Sequence, residues 1–238
     1  MARKNTASSK SFGGIIAVVA VAGIAALGYV MSRPAKVLTL DAALGPMNAA
    51  GVLRGDTNAL VQVIEFADFE CPGCGYFANV TEPDVVERLI ETGEISFRFM
   101  DFPLEGHRNT VPAHNAAACA NEQGKFWEMH DAIFANQDRW NAFATQNPKG
   151  VLKEIAQMVG LDVGEWEDCY DSGRMLPQIA ANRDEGRRLG VRGTPTFIIN
   201  GRTIVSDGVP TYDQFRDYVT QAKVAAMAAA SESASKTP

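Results

Sequence analysis

Two cysteines separated by two residues, Cys71-Pro72-Gly73-Cys74, are the part of this 238-residue chain whose types and spacing could do chemistry. One helical turn brings such a pair together. A thiolate at one sulfur attacks a disulfide, and the other sulfur resolves the mixed disulfide that results. The attacking sulfur must be accessible and held where negative charge is favoured, and a helix N-terminus supplies both conditions. Pro72 suits the first position of a helix, which leaves Cys71 at the N-cap with free backbone N–H groups directed at its sulfur. Cys71 is therefore the candidate nucleophile, and Cys74, one turn on, the candidate resolving thiol. Zinc is the competing use of paired cysteines, but it wants four ligands, and the next cysteine, Cys119, has no partner close in sequence. His107, His114 and His130 are spaced seven and sixteen residues apart, which fits no compact ligand set on one helix face. Packing or surface roles are expected for them, with no metal.

The elements that must position the pair follow from the pattern around it. Leu60-Val-Gln-Val-Ile-Glu-Phe66 is β-branched and too short for a typical helix, so it reads as a buried strand running almost directly into Cys71. A helix over Tyr76 to Thr92, interrupted near Pro83 and stopped at Gly93, leads to a second strand at Ile95 to Met100. Strand, helix, strand is a parallel crossover unit. From about Val111 to Ser172 the pattern turns helical, with Val151, Leu152, Ile155, Ala156 and Val159 on one face and Gly160 as a stop. Asp162 and Glu165 suit the start of the next helix, and Pro177 to Leu189 reads as another, ending at Gly190. Asn200-Gly201 between Thr196–Ile199 and Thr203–Val205 predicts a β-hairpin, and a last helix is expected over about Tyr212 to Ala229.

Residues 12 to 31, Phe12 to Met31, carry no charge over about the length a helix needs to cross a bilayer. Arg3, Lys4 and Lys10 precede this run without an acid, which places residues 1–11 in the cytoplasm and the rest of the chain outside. A cleaved signal peptide is the alternative, although the apolar run exceeds the usual length and no small-x-small site directly follows. Residues 32–56, with Pro34, Gly45, Pro46, Gly51 and Gly55, read as a linker, and 230–238 as a disordered tail. Five of the 22 basic residues precede residue 37 while all 28 acids follow it, so the exported part is strongly acidic and nucleic acid is excluded as a partner. Four cysteines in an exported domain make oxidation their default chemistry.

The strand, the Cys-Pro-Gly-Cys motif, the inserted helices and Gly193-Thr194-Pro195-Thr196 together resemble DsbA-like thiol–disulfide oxidoreductases of the bacterial envelope, over about residues 57–229. The resemblance implies an α/β, thioredoxin-like fold with a helical insertion at about 107–176, here preceded by one transmembrane helix. It implies that Pro195 is a cis-proline facing the pair and exposing the backbone of Thr194 to a substrate strand. By the same resemblance Glu65, six residues before Cys71, matches the buried acid beneath the resolving cysteine, where a carboxyl of raised pKa would relay its proton. Relatives with this pattern often carry a second bridge, which implies a structural Cys119–Cys169 disulfide; two buried free thiols are the alternative.

The activity that follows is donation of the Cys71–Cys74 disulfide to exported proteins with cysteines, with reoxidation by a quinone-linked membrane partner and no soluble cofactor. The site would then lie on the periplasmic side of the bacterial inner membrane, on a single-pass anchor. Pro72-Gly73 lacks the imidazole found next to the thiolate in strongly oxidising relatives, which suggests a milder oxidant. A reductase or isomerase fed with electrons across the membrane, and a tethered binding module with an inert Cys71–Cys74 staple, remain alternatives.

Overall fold

The computed structural model describes Gly23 and residues 38–40, 47–204 and 208–235. The chain divides into two units, Met1–Val37 and Leu38–Pro238, and the sheet and helices that carry the cysteine pair belong to the second. The expected membrane segment, residues 12–31, lies outside the described residues apart from Gly23. Among the described residues no helix is long and apolar enough to cross a membrane.

Five strands form one mixed sheet in the order β1-β3-β2-β4-β5. They are β1 (Val52–Arg54), β2 (Val61–Ala67), β3 (Ile95–Asp101), β4 (Thr196–Ile199) and β5 (Arg202–Ile204). β2 runs parallel to β3 and antiparallel to β4, so Glu65 lies between Phe99 and Phe197 in register. The alternation in β2 sends Val61 and Val63 to one face and Phe66 to the other. Both faces are covered toward its C-terminal end, which is why the strand is apolar there apart from Glu65 and carries its exposed polar residue at Gln62.

The helical run after β2 begins as α1 (Pro72–Tyr76) and continues through a π-helical turn at Phe77–Thr81 into α2 (Glu82–Val85). A second π-helical turn, Val86–Ile90, follows. Pro83 has no N–H for the ladder, so the interruption expected there takes the form of widened turns rather than a break. Phe77, Val85 and Leu89 from this run meet Val61, Val63, Phe97 and Phe215 in one core. On the opposite face α8 (Leu176–Arg188) lies close to the sheet. A Cβ at Gly186 would stand 2.7 Å from the Phe102 ring and 2.8 Å from that of Phe66, so glycine sets how near the helix comes.

Between β3 and α8 sits the helical insertion: α3 (Thr110–Asn121), α4 (Phe126–Ala135), α5 (Gln137–Trp140), α6 (Lys149–Met158) and α7 (Val163–Ser172). Asp162 caps α7 by accepting from Glu165 N at 3.0 Å, and Gly173, at φ 68°, ends it in the left-handed conformation. Trp140, Leu152, Ile155 and Trp166 of the insertion share one core with Phe69, Cys71, Cys74 and Phe99. Within it Cys119 of α3 is bonded to Cys169 of α7, with Cα atoms 5.7 Å apart.

Two boundaries differ from the sequence expectation. Residues 52–54, inside the segment read as a linker, pair antiparallel with β3 as β1, and Leu38 is buried in the core. Their glycine-rich surroundings mask a strand this short, because long-range pairing rather than local propensity makes it. At the other end α9 runs from Tyr212 to Ser235, through most of the segment read as a disordered tail. The alanines from 225 to 230 are strong helix formers and carry the last turns onward.

Opening the Cys119–Cys169 bond releases a loop of 50 residues. The double substitution Cys119→Ala/Cys169→Ala is expected to lower unfolding free energy by up to about 4 kcal/mol, measured by denaturant titration, with the thiol chemistry of Cys71 unchanged.

Candidate functional site

Cys71 occupies the N-cap of α1 in extended conformation, with Pro72 at the first helical position. Its own N–H donates to Asp68 O at 3.0 Å and its carbonyl accepts from Gly75 N at 3.0 Å, which fixes the loop from strand to helix. Gln137 of α5 steadies the same loop, donating from Nε2 to Phe69 O (2.7 Å) and Cys71 O (3.0 Å). A Cβ at Gly75 would stand 2.9 Å from Gln137 Oε1, so the glycine is what admits this brace.

Across the groove the Thr194–Pro195 peptide bond is cis. The Cys71 thiol donates to Thr194 O at 3.4 Å, and the Thr194 hydroxyl, buried and without another partner, stands ready to donate to a thiolate there. Gly73 completes the approach: a Cβ on it would lie 3.4 Å from Pro195 Cδ and 3.3 Å from Val209 Cγ2. An open groove runs past Cys71 between Val191–Pro195 and Thr203–Ile204.

The two sulfurs differ sharply. Both are free thiols, Cys71 8% exposed and Cys74 fully buried. A hydrogen bond from the Cys74 thiol, against the opposing effect of burial and with help from Thr194 and the backbone N–H groups of Cys74 and Gly73, lowers the Cys71 pKa to about 5. Cys74 moves the other way. Burial pushes its thiol well above the ordinary value, reinforced by the Cys71 and Glu65 charges, although Asp68 N donates to its sulfur at 3.5 Å. Glu65 is also buried, and burial first, then the charges of Glu82 and Cys71, raise its carboxyl far above the usual range. It lies between Phe99 and Phe197, on the face of β2 that the α1 run covers.

Sequence reasoning did not single out the anion beside the pair. Asp68, fully buried three residues before Cys71, accepts from Glu70 N (2.7 Å), Thr110 Oγ1 (2.5 Å) and Leu104 N (2.8 Å), and meets His107 Nδ1 at 2.8 Å. Burial alone would raise it; the hydrogen bond with His107, the charge of His114 and the other donors outweigh that and hold the carboxyl below its ordinary pKa. Asp68 in turn raises the His107 imidazole, against burial, with smaller help from Glu70 and Cys71. His107 is therefore a half-exposed residue tied to the redox loop through its hydrogen bond with Asp68, with its imidazole pKa raised. Glu70 has a similar bracing part, accepting from Asn109 N (2.7 Å) and Ala142 N (2.5 Å). An acid two residues apart on either side of Phe69, directly before the Cys pair, was the signal available in the sequence. His114 instead meets Asp101 at 2.6 Å inside the domain.

The arrangement gives a nucleophile of lowered pKa at a groove and, behind it, a thiol and a carboxyl whose pKa values are raised: the parts needed for thiol–disulfide exchange. It also sets a pH dependence. The folded pKa of Cys71 lies below the unfolded value of about 8.5, so its stabilisation is complete above that value and is lost as pH falls through about 5. The disulfide form has no such thiolate. From pH about 5 to about 8.5 the dithiol form is expected to gain stability relative to the disulfide form, measured by denaturant midpoints of both; a constant difference would contradict the assignment.

A family model described as Thioredoxin (Thioredoxin_4) matches residues 47–221. A protein of Salinispora tropica named Na(+)/H(+) antiporter NhaA 3 is 37% identical over 151 residues, covering 63% of this chain and 22% of that protein. The chain thus spans about a fifth of that relative's length, and the antiporter name describes a much longer protein. The probable disulfide bond formation protein D of Bacillus anthracis is 27% identical over 150 residues, 62% of this chain and 68% of its own. Among solved structures, oxidised BdbD of Bacillus subtilis superposes with a TM-score of 0.64 at 21% identity, over 73% of this chain and 92% of that one.

Proposed function

The chain belongs to the thioredoxin family, and from that membership we propose that it is a DsbA-like protein thiol–disulfide oxidoreductase that donates the Cys71–Cys74 disulfide to exported proteins bearing cysteines. The observation that carries the reading is the placement of Cys71 Sγ at a helix N-terminus, 3.4 Å from the carbonyl of Thr194 and beside a cis-proline, in an open groove. The name of the Bacillus anthracis relative supports the same chemistry.

A substrate thiolate attacks Cys71 Sγ of the disulfide. The Cys71–Cys74 bond breaks, a Cys71–substrate bond forms, and Cys74 leaves with the electron pair and takes a proton, for which Glu65 is the donor. A second substrate thiolate then attacks the substrate sulfur, releasing Cys71 as a thiolate. The substrate is oxidised by two electrons and the pair is reduced. Thr194 offers its backbone to a substrate segment lying along the groove, as a strand added at the side of the pair. No cofactor is required, since the pair is the redox centre.

Direction follows from the thiolate. A stabilised Cys71 anion favours the dithiol form, and so makes the disulfide the better oxidant. His107, hydrogen-bonded to Asp68 with its pKa raised, places an imidazole beside the redox loop although the Pro72-Gly73 dipeptide has none. We place the catalytic domain outside the cytoplasm, on residues 12–31 as a single inner-membrane anchor or behind a cleaved signal peptide. The uncharged run and its basic flank support this placement. A quinone-linked membrane protein would restore the disulfide.

Cys71→Ser is expected to abolish oxidation of a reduced, unfolded protein, and Cys74→Ala, offered a protein that already bears a disulfide, to accumulate mixed disulfides by attack of the Cys71 thiolate, read by non-reducing electrophoresis. Near wild-type activity in Cys71→Ser would refute the reading. Equilibration with glutathione is expected to place the pair's potential nearer about −120 mV than about −270 mV, and a value at the lower end would make it a reductase instead.

A further inference from the structure

Behind Glu65 lies a second buried carboxyl that the exchange chemistry does not use. Glu82 of α2 is 3% exposed, and neither of its side-chain oxygens has a hydrogen-bond partner. Facing it at 4.0 Å, from Glu82 Oε2, is Nε2 of His130 on α4, itself fully buried and also without a partner. Three unsatisfied polar atoms in an apolar core are costly, and their grouping asks for a use. The other ring nitrogen of His130 meets Asp131 Oδ1 at 2.8 Å, and the Asp131 side chain is 58% exposed. The cluster therefore runs from the core to solvent.

Its inner end lies against the strand next to Glu65. Glu82 lies in the helical run that carries Cys74, and the His130 ring packs edge-on against Phe99, 5.1 Å between centroids. Phe99 is the register partner of Glu65 on the neighbouring strand. The charge of Glu82 raises Glu65, and that of Glu65 raises Cys74.

We propose that Glu82, His130 and Asp131 form the outer part of a proton path that links Cys74 to solvent through Glu65. They are positioning residues, acting on the sulfur through Glu65 rather than touching it. When Cys74 leaves as a thiolate, Glu65 gives it a proton and is recharged by Glu82. His130 then reprotonates Glu82 from Nε2 across a gap that a small side-chain rotation closes to hydrogen-bond range, and is reprotonated at Nδ1 through Asp131, which exchanges protons with solvent. In the reverse step the proton leaves by the same route and Cys74 attacks. Protons move and no redox equivalent is consumed along the path.

Other charged groups face the cluster. Arg54 of β1 places Nη1 3.9 Å from Glu82 Oε1 and stacks its guanidinium 5.2 Å from the Trp127 ring centre. Glu82 is raised by burial and by Asp131, and lowered by His130 and Arg54. The donor atoms of Glu82, His130 and Asp131 lie within 4.8 Å of one another, a spacing compatible with a metal ion. Arg54 already supplies the positive charge beside Glu82 and Asp131 is engaged with Nδ1, which favours proton transfer over cation binding.

This inference rests on the reading of Cys71–Cys74 as an exchanging pair, and the test separates the two. In the full-length protein, a mixed disulfide of Cys71 with glutathione is formed and the release of glutathione by Cys74 is followed from pH 5 to 9 by stopped flow, on the order of the range in which such groups titrate. Glu82→Gln and Asp131→Asn are each expected to slow release at neutral pH by about 10-fold, to displace its pH profile upward and to enlarge the solvent deuterium effect. The rate of Cys71 alkylation should stay unchanged in both. Asp131 is at the surface, so its variant decides the matter even if Glu82→Gln does not fold. Release at wild-type rate with a wild-type pH profile, or slowing matched by a change in Cys71 alkylation, overturns the path. A wild-type protein that releases no glutathione overturns the exchange reading instead.

Discussion

A thiolate at the edge of a buried helix start is the constraint around which the rest of this domain is arranged. The N-cap position leaves N–H groups of Gly73 and Cys74 unspent by the helix, and they face Cys71. Burial opposes the charge, so the anion survives only because the neighbouring thiol, Thr194 and those N–H groups supply more than burial removes. The same burial, without comparable donors, raises the pKa values of Cys74 and Glu65. One helical turn therefore separates a sulfur that attacks from a sulfur that waits for a proton to move.

Holding that turn in place is the work of the sheet and the insertion together. β2 delivers the chain to Asp68, whose carboxylate gathers donors from residues 70, 104, 107 and 110 and so fastens the loop after β3 and the start of α3 to the strand carrying the pair. Gln137 ties α5 to the Cys71 carbonyl. Loop residues bearing this many buried hydrogen bonds have little freedom, and rigid surroundings are what keep a depressed thiol pKa depressed. The Cys119–Cys169 bond joins the first and last helices of the insertion, outside the exchanging pair.

Much of this was legible in the sequence because the signals are local. A β-branched run ending at a Cys-Pro turn, Asn-Gly between two apolar segments, and glycine after each helical face all act through nearby residues. Asn200 and Gly201 adopt φ of 46° and 78°, as that hairpin turn requires. What escaped depends on residues far apart in sequence. β1 exists through its register with β3, and the Asp68–His107 pair through a loop closed 39 residues later. His130 offered no signal alone, since its meaning comes from facing Glu82 across the core. The C-terminal helix outran its expected end because alanine propensity was weighed less than the small, polar composition beyond it.

The most direct test of this account is the titration of Cys71 itself, by the ultraviolet absorbance of the thiolate and by alkylation rate against pH, in the reduced protein with Cys119–Cys169 intact. The account predicts half-ionisation near pH 5, with Cys74 silent over the same range. An inflection near the free-cysteine value of about 8.5 would mean that the helix N-terminus and Thr194 do not stabilise the anion, and the assignment of this chain as a disulfide donor would fall with it.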